Sequence, residues 1–350
     1  MKSSVRYVIG CSLALSVLFP LSLSAGTLLV GNKSEASVSL IDLDSGIEVA
    51  RADTNPGPHE IAVTRDGKLA VVTNYGTSAA PGNTLSVIEV EQGVTVGHID
   101  LGRYTRPHGI LFLPDQRRVL VTAEGAGVLL QVDVYLGVVE KAVPTGQRGS
   151  HMLAYDPSGQ RAFTANMGSS SVSLINMKSG ELLAFQASGI DAEGIALSFD
   201  SRDLWVTNRG EDTVSLFDAK FLDLKVKLDV PGFPIRAEVM PDSGKVLVTS
   251  AGSAQLSIID PLSREVERTV NLNLDIAAGD TLLGDRFAGS SLPIGIEIEP
   301  GGERVWIAHA GVDRVQELSS SDWGQTRLLV TGREPDAMAY SSRKVQAGQE

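Results

Sequence analysis

Three of the five histidines in this chain, His59, His108 and His151, fall at the same position of three successive copies of an internal repeat, and the next copy places Glu193 there. Imidazole nitrogens from three neighbouring units plus one carboxylate form a donor set suited to zinc, manganese, iron or copper. Open coordination is left for water or a substrate. Read in register, the remaining copies give Arg236, Ile294 and Asp336, so six of seven positions carry an ionisable group. Five histidines spread over about 325 residues would place about 0.1 of them on seven chosen positions, and three is well beyond that. Arg236 is a candidate to hold an anionic group and Asp336 to transfer protons. The same residues would equally serve a metal-free site for a small polar ligand, or tie neighbouring repeats together through backbone hydrogen bonds.

A second set of positions lies at the turn of each copy. Asn32, Asn74, Asn166 and Asn208 read as turn residues that satisfy the local backbone. His309 takes the same place in the last copy and is a second candidate for proton handling. The following residue varies: Lys33, Tyr75, Glu124, Met167 and Arg209. A purely structural requirement would repeat in every copy, so Tyr75, Glu124 and Arg209 are candidates for ligand contact.

These positions are defined by the repeat itself. TLLVGNKSEASVSLID (27–42), AFTANMGSSSVSLIN (162–176), LWVTNRGEDTVSLFD (204–218) and VLVTSAGSAQLSIID (246–260) align without a gap from the turn onward. Weaker copies begin at Ala70, Val119 and Val305, making seven units. Each alternates apolar and polar residues over short runs bounded by Gly, Asn and Asp, the period of half-buried strands. Four strands per unit match the blade of a β-propeller, which buries both faces only by closing radially on its neighbours. The frame fits closure: TLLVG reads as a second strand and PDAMAYS (335–341) as a lone first strand, so the two can share one blade and remove both open edges. The expected class is all-β, a seven-bladed propeller over residues 26–344 with a disordered tail at 345–350.

With V-T-N and V-S-L-I-D runs and with P-D-S-G (241–244) and R-D-G (65–67) turns, the chain resembles the YVTN-repeat, or YncE-like, seven-bladed propellers of bacterial cell envelopes, over nearly its whole length. The resemblance implies the fold and an envelope setting. Propellers of similar outline include lactonases, lyases and electron-transfer partners, an analogy of fold only.

The first 25 residues read as an export signal: basic Lys2 and Arg6, an apolar stretch, and Ser-Leu-Ser-Ala before a cut after Ala25. Pro20 breaks the apolar run and no second hydrophobic span follows, so a periplasmic protein without a membrane span is expected. V-I-G-C (8–11) is similar to a lipoprotein box, but Arg6 stands too near Cys11 for a hydrophobic region to precede the cut. Cys11 is the only cysteine, so a mature chain has no thiol catalysis, disulfide or thiolate ligand. Loss of Lys2 and Arg6 leaves 28 Lys and Arg against 42 Asp and Glu, a formal −14, which disfavours nucleic-acid binding. A monomer is expected.

Two insertions project from the histidine-bearing side: GTSAAPGN (76–83), and residues 271–295, which carry Asp275, Asp280, Asp285 and Arg286 and are long enough to form a lid. Asp42 and Asp44 before Gly46 lack the remaining ligands of a calcium loop and read as a turn. Walker, dinucleotide, G-x-S-x-G, H-E-x-x-H and c-type haem motifs are absent from the sequence. Three functions remain: binding of a small polar or anionic ligand or a divalent metal, metal-assisted lyase or hydrolase chemistry, and a scaffold for an envelope protein partner.

Overall fold

The computed structural model describes residues 26–275 and 284–346, and the expected signal segment and Asp280 lie outside them. The described residues form 28 strands in seven four-stranded antiparallel sheets, with two short 3₁₀ turns at Met167–Ser169 and Gly284–Phe287. Blade 1 pairs Pro335–Ser341 with Thr27–Asn32, followed by Ser37–Asp42 and Ile47–Asp53. The C-terminal strand therefore completes the N-terminal blade, in the register Leu28 to Tyr340 and Val30 to Met338. The ring closes, and no open edge is left where the termini meet. Blades 2 to 7 begin with the strands Pro58–Val63, Pro107–Phe112, Ser150–Asp156, Ala192–Leu197, Pro234–Val239 and Pro293–Ile298. These first strands contact one another around the axis. The chain is a seven-bladed β-propeller.

Apolar alternation places the core between blades. Phe163, Leu204, Val206 and Phe217 fill the space between blades 4 and 5, and Leu29, Ile61, Val72 and Ala337 that between blades 1 and 2. Each fully buried side chain of this size contributes roughly 1.5–3 kcal/mol from apolar surface removed from water. Val345 packs against the second cluster, and the Gln346 amide donates to the Glu91 carbonyl. The packed chain thus runs two residues past the expected boundary at 344.

Two backbone devices recur at the start of every first strand. The residue before it is left-handed in all seven blades: Gly57, Arg106, Gly149, Asp191, Phe233, Leu292 and Glu334 have φ between 54° and 70°. Only two of these are glycines, so five side-chain-bearing residues carry a conformation that costs on the order of 1 kcal/mol each. Immediately after it the ladder shifts by one residue, for instance between Pro58 and Ile61. A bulge of this kind turns a side chain out of the regular alternation, here at the rim of the channel.

Candidate functional site

The residue following the first position of each innermost strand sits in that bulge, and in four of the seven blades a threonine of the preceding blade holds its carbonyl. Thr73 Oγ1 donates to the His108 carbonyl at 2.8 Å, Thr122 to that of His151, Thr207 to that of Ile235 at 2.8 Å and Thr249 to that of Ile294 at 2.8 Å. The threonine of the V-T-N run is thus a staple between blades, a role that strand alternation does not reveal. The staple also corrects the sequence register in blade 6. Its acceptor is Ile235, which follows Pro234 as His59 follows Pro58. Ile235 holds the ring position, and Arg236 lies one residue later, where blade 2 has Glu60. Five of the seven ring positions are ionisable rather than six.

The three histidines form a stack. Ring centroids are 3.9 Å apart between His59 and His108, and 3.5 Å between His108 and His151. Their neighbours differ, and so do their protonation states. Lys33 Nζ lies 3.0 Å from His59 Nε2, and an ammonium can only donate, so the His59 proton sits on Nδ1. That nitrogen faces Glu60 Oε1 and Asp336 Oδ2, each at 3.7 Å. Burial, reinforced by Lys33, lowers the His59 pKa. His108 is wholly enclosed, with no partner among the described residues at either ring nitrogen; burial and then the flanking histidines hold its pKa well below the usual range. His151 has Glu124 Oε2 at 3.0 Å from Nδ1 and Glu193 Oε1 at 3.4 Å from Nε2. Burial alone would lower its pKa, but the two carboxylates outweigh burial and raise it, favouring the imidazolium.

The charged groups beyond the stack are paired across blades. Tyr75 donates to Glu124 at 3.0 Å, and Arg209 meets Glu193 at 2.6 Å, completing a chain Tyr75, Glu124, His151, Glu193, Arg209. Burial and Glu124 push the Tyr75 hydroxyl up to about 12. Burial would raise both carboxylates, but hydrogen bonding to His151 lowers them. On the other side Asp336 is shared by Lys33 at 3.1 Å and Arg236 at 3.3 Å, while Arg236 also contacts Glu60. Burial opposes ionisation of Asp336, and Lys33, His59 and Arg236 together hold it well below the carboxylate range.

The structure therefore brings together all the ring candidates but does not form the expected four-ligand metal set. His151 and Glu193 spend their nitrogen and oxygen atoms on one another and on Glu124 and Arg209. The ligand atoms that do converge belong to His59, Glu60 and His108, all within 4.8 Å of one another. Glu60 was missed, although a signal existed: in its column of the repeat the other blades have Gly109, Met152, Gly194, Gly295 and Ala337, and only Glu60 and Arg236 are charged.

His309 does not join the site. Its nitrogens face Ser291 Oγ at 2.9 Å and Gln316 Oε1 at 3.1 Å inside blade 7, and burial lowers its pKa to about 4. The asparagines in its column are likewise not turn residues. They are fully buried, and the Asn74 amide donates to Thr84 and Ser86 as that of Asn208 does to Thr213 and Ser215. Each pegs the second strand of its blade to the third.

A cavity of ≈ 930 Å³ opens above the stack. His59, His151, Arg236 and Asp336 line it together with apolar Met167, Ile235 and Ile294. The first insertion extends a hairpin, with Gly76 paired to Pro81, and Tyr75 to Ser78 form part of the wall. Half-buried Arg106 stacks on Tyr75 at 4.9 Å and has no carboxylate partner among the described residues. The described part of the second insertion covers a smaller neighbouring cavity of ≈ 390 Å³ instead, where Arg209 and Arg286 lie 5.1 and 4.6 Å from the Phe233 ring centre. Asp275 is exposed, and Asp42 accepts from Ser45 in a plain turn. Further along the innermost strands, half-buried Glu297 is pushed up to about 8 by desolvation.

No family model matches the chain, and no curated protein does. Solved structures match in fold. A chain of hydrazine synthase from Kuenenia stuttgartiensis is 18% identical with a TM-score of 0.67, covering 90% of this chain and 99% of that one. Dihydro-heme d1 dehydrogenase NirN, solved in complex with DHE, is 12% identical with a TM-score of 0.60, covering 94% of this chain and 77% of that one. A functionally unknown protein from Desulfotomaculum acetoxidans is 13% identical with a TM-score of 0.73, covering 92% and 100%. At these identities the likeness is one of architecture, and the propeller's chemistry has to be read from its own residues.

Proposed function

We propose that this propeller is an exported binding protein of the YVTN type whose mouth cavity holds a small polar ligand through an anionic group, a carboxylate being the simplest. The observation that carries the reading is Arg236: it is buried, it lines the cavity, and its Nη1 has no hydrogen-bond partner among the described residues. A buried guanidinium donor left unpaired is costly, and an anion supplied by a ligand satisfies it. Arg106, with no carboxylate partner among the described residues, stands on the same wall as a second anchor. Met167, Ile235 and Ile294 give the rest of the ligand an apolar surface, the usual mixture for a small-molecule site.

The test is calorimetric titration of metal-free protein, in the presence of chelator, with a panel of small organic mono- and dicarboxylates. Saturable binding is expected for at least one member, weakened about tenfold or more in Arg106→Gln, in line with loss of one charge-assisted contact. A panel that shows no saturable binding, or binding indifferent to both Arg106→Gln and Arg236→Lys, would overturn the reading.

A further inference from the structure

We infer that His59, Glu60 and His108 form a divalent transition-metal site in the floor of the mouth, and that Lys33 is the cation that occupies the place of the metal's charge when no metal is bound. The inference goes beyond the anion reading and shares only the cavity with it.

The three residues come from two adjacent innermost strands and offer two nitrogens and an oxygen within 4.8 Å of one another. Atoms ligating one ion at about 2.1 Å lie about 3.4 Å apart in a tetrahedral site, so a closure of at most about 1.4 Å suffices. Unlike a cluster of surface carboxylates, this one includes buried nitrogens that no described residue satisfies: both of His108 and Nδ1 of His59. The contacts of Glu60 with Arg236 and His59 run through Oε1, which leaves Oε2 free for an ion. Arg236 then orients the carboxylate from behind, the arrangement in which an outer partner tunes a metal ligand. Two imidazoles and one carboxylate suit zinc, cobalt, iron(II) or copper rather than calcium or magnesium, and of the three residues His59 lines the cavity.

Lys33 links the two states of the site. Its ammonium donates to Nε2 of His59, which puts the ring proton on Nδ1, where the ion has to bind. For the metal to enter, the proton moves from Nδ1 to Nε2, the ring stays neutral overall, and Lys33 swings away from His59 to Asp336, already 3.1 Å distant. Removing Lys33 removes that competition without removing any ligand.

The experiment titrates chelator-stripped wild type, Lys33→Met, Glu60→Gln and His108→Ala with Co²⁺, followed by d–d absorption, and with Zn²⁺ by calorimetry. One ion per chain is expected, with visible bands of a site containing nitrogen. Affinity should fall at least a hundredfold in His108→Ala and rise about tenfold in Lys33→Met. If His108→Ala does not fold, Glu60→Gln carries the same reading, because it keeps the volume and removes the charge. Stoichiometric binding missing from both wild type and Lys33→Met would overturn the inference, as would binding unchanged in both His108→Ala and Glu60→Gln. Because the carboxylate titrations run with chelator present, failure of the metal site leaves the anion reading standing, and the reverse holds for the metal titrations.

Discussion

The ammonium of Lys33 and the ring of His59 meet at 3.0 Å, one from the turn of blade 1 and the other from the innermost strand of blade 2. Lys33 also pairs with Asp336, 303 residues away on the strand that closes the ring. The floor of the mouth is therefore assembled at the seam where the two ends of the chain meet. Closure of the propeller and construction of the site are one event.

Removal of the closing strand should then remove both. A chain ending at Glu334 leaves the Thr27–Asn32 strand with an open inner edge and takes Asp336 away from Lys33 and Arg236. Loss of cooperative thermal unfolding, with aggregation on size-exclusion chromatography, is the expected outcome. A monodisperse truncated protein with an unchanged melting temperature would contradict it.

His309 supplies an acid-sensitive contribution. Its folded pKa of about 4 lies below the ordinary 6.5, so the folded state resists a proton that the unfolded chain accepts. Stability from this group is intact above pH 6.5 and is lost as pH falls, by about 2 kcal/mol at pH 5. His309→Asn, which copies the residue of four other blades, should lose less stability between pH 7 and pH 5 than wild type does. Denaturant titrations at the two pH values measure the difference.

Glu297 acts in the opposite direction. Its pKa is raised to about 8 by enclosure, so the folded state keeps a proton that the unfolded chain releases above about pH 4.5. The stabilisation is present at low pH and is lost as pH rises toward 8. Glu297→Gln should raise the melting temperature at pH 8.5 and leave it nearly unchanged at pH 4.5.

Arg209→Met is expected to cost about 3 kcal/mol, because buried Glu193 loses the guanidinium at 2.6 Å and keeps only His151. Nitrogen-15 spectra of the His151 ring should show its imidazolium retained, since Glu124 stays in place. A neutral His151 in this variant would mean that the relay is held together differently.

Thr73→Val tests the staple between blades. The substitution keeps the shape of the side chain but leaves the His108 carbonyl without its donor in a buried setting, at a cost of about 1–3 kcal/mol. The melting temperature should drop accordingly, while the same substitution at exposed Thr269 should have little effect on it.

Much of the fold was readable from local spacing. Alternation with period two, turn residues at fixed offsets and a frame that starts on a second strand and ends on a first one determine seven blades and their closure, because strand patterning needs only neighbours in sequence. The same comparison of copies brought out His59, His108, His151, Glu193 and Asp336, since residues at one repeat position share one place around the axis. What each of them does was decided only in three dimensions. A left-handed residue and a bulge re-aim the side chains at the rim, so alternation no longer tells which of Ile235 and Arg236 holds the ring position, or that Glu60 faces His108. The charge states follow from burial and from partners on other blades: burial reinforced by Lys33 favours neutral His59, Glu124 and Glu193 favour the imidazolium of His151, and His108 has neither kind of partner. Such pairings join residues from 26 to 303 positions apart: packing of neighbouring blades makes the short-range ones, and closure of the ring brings Lys33 and Asp336 together.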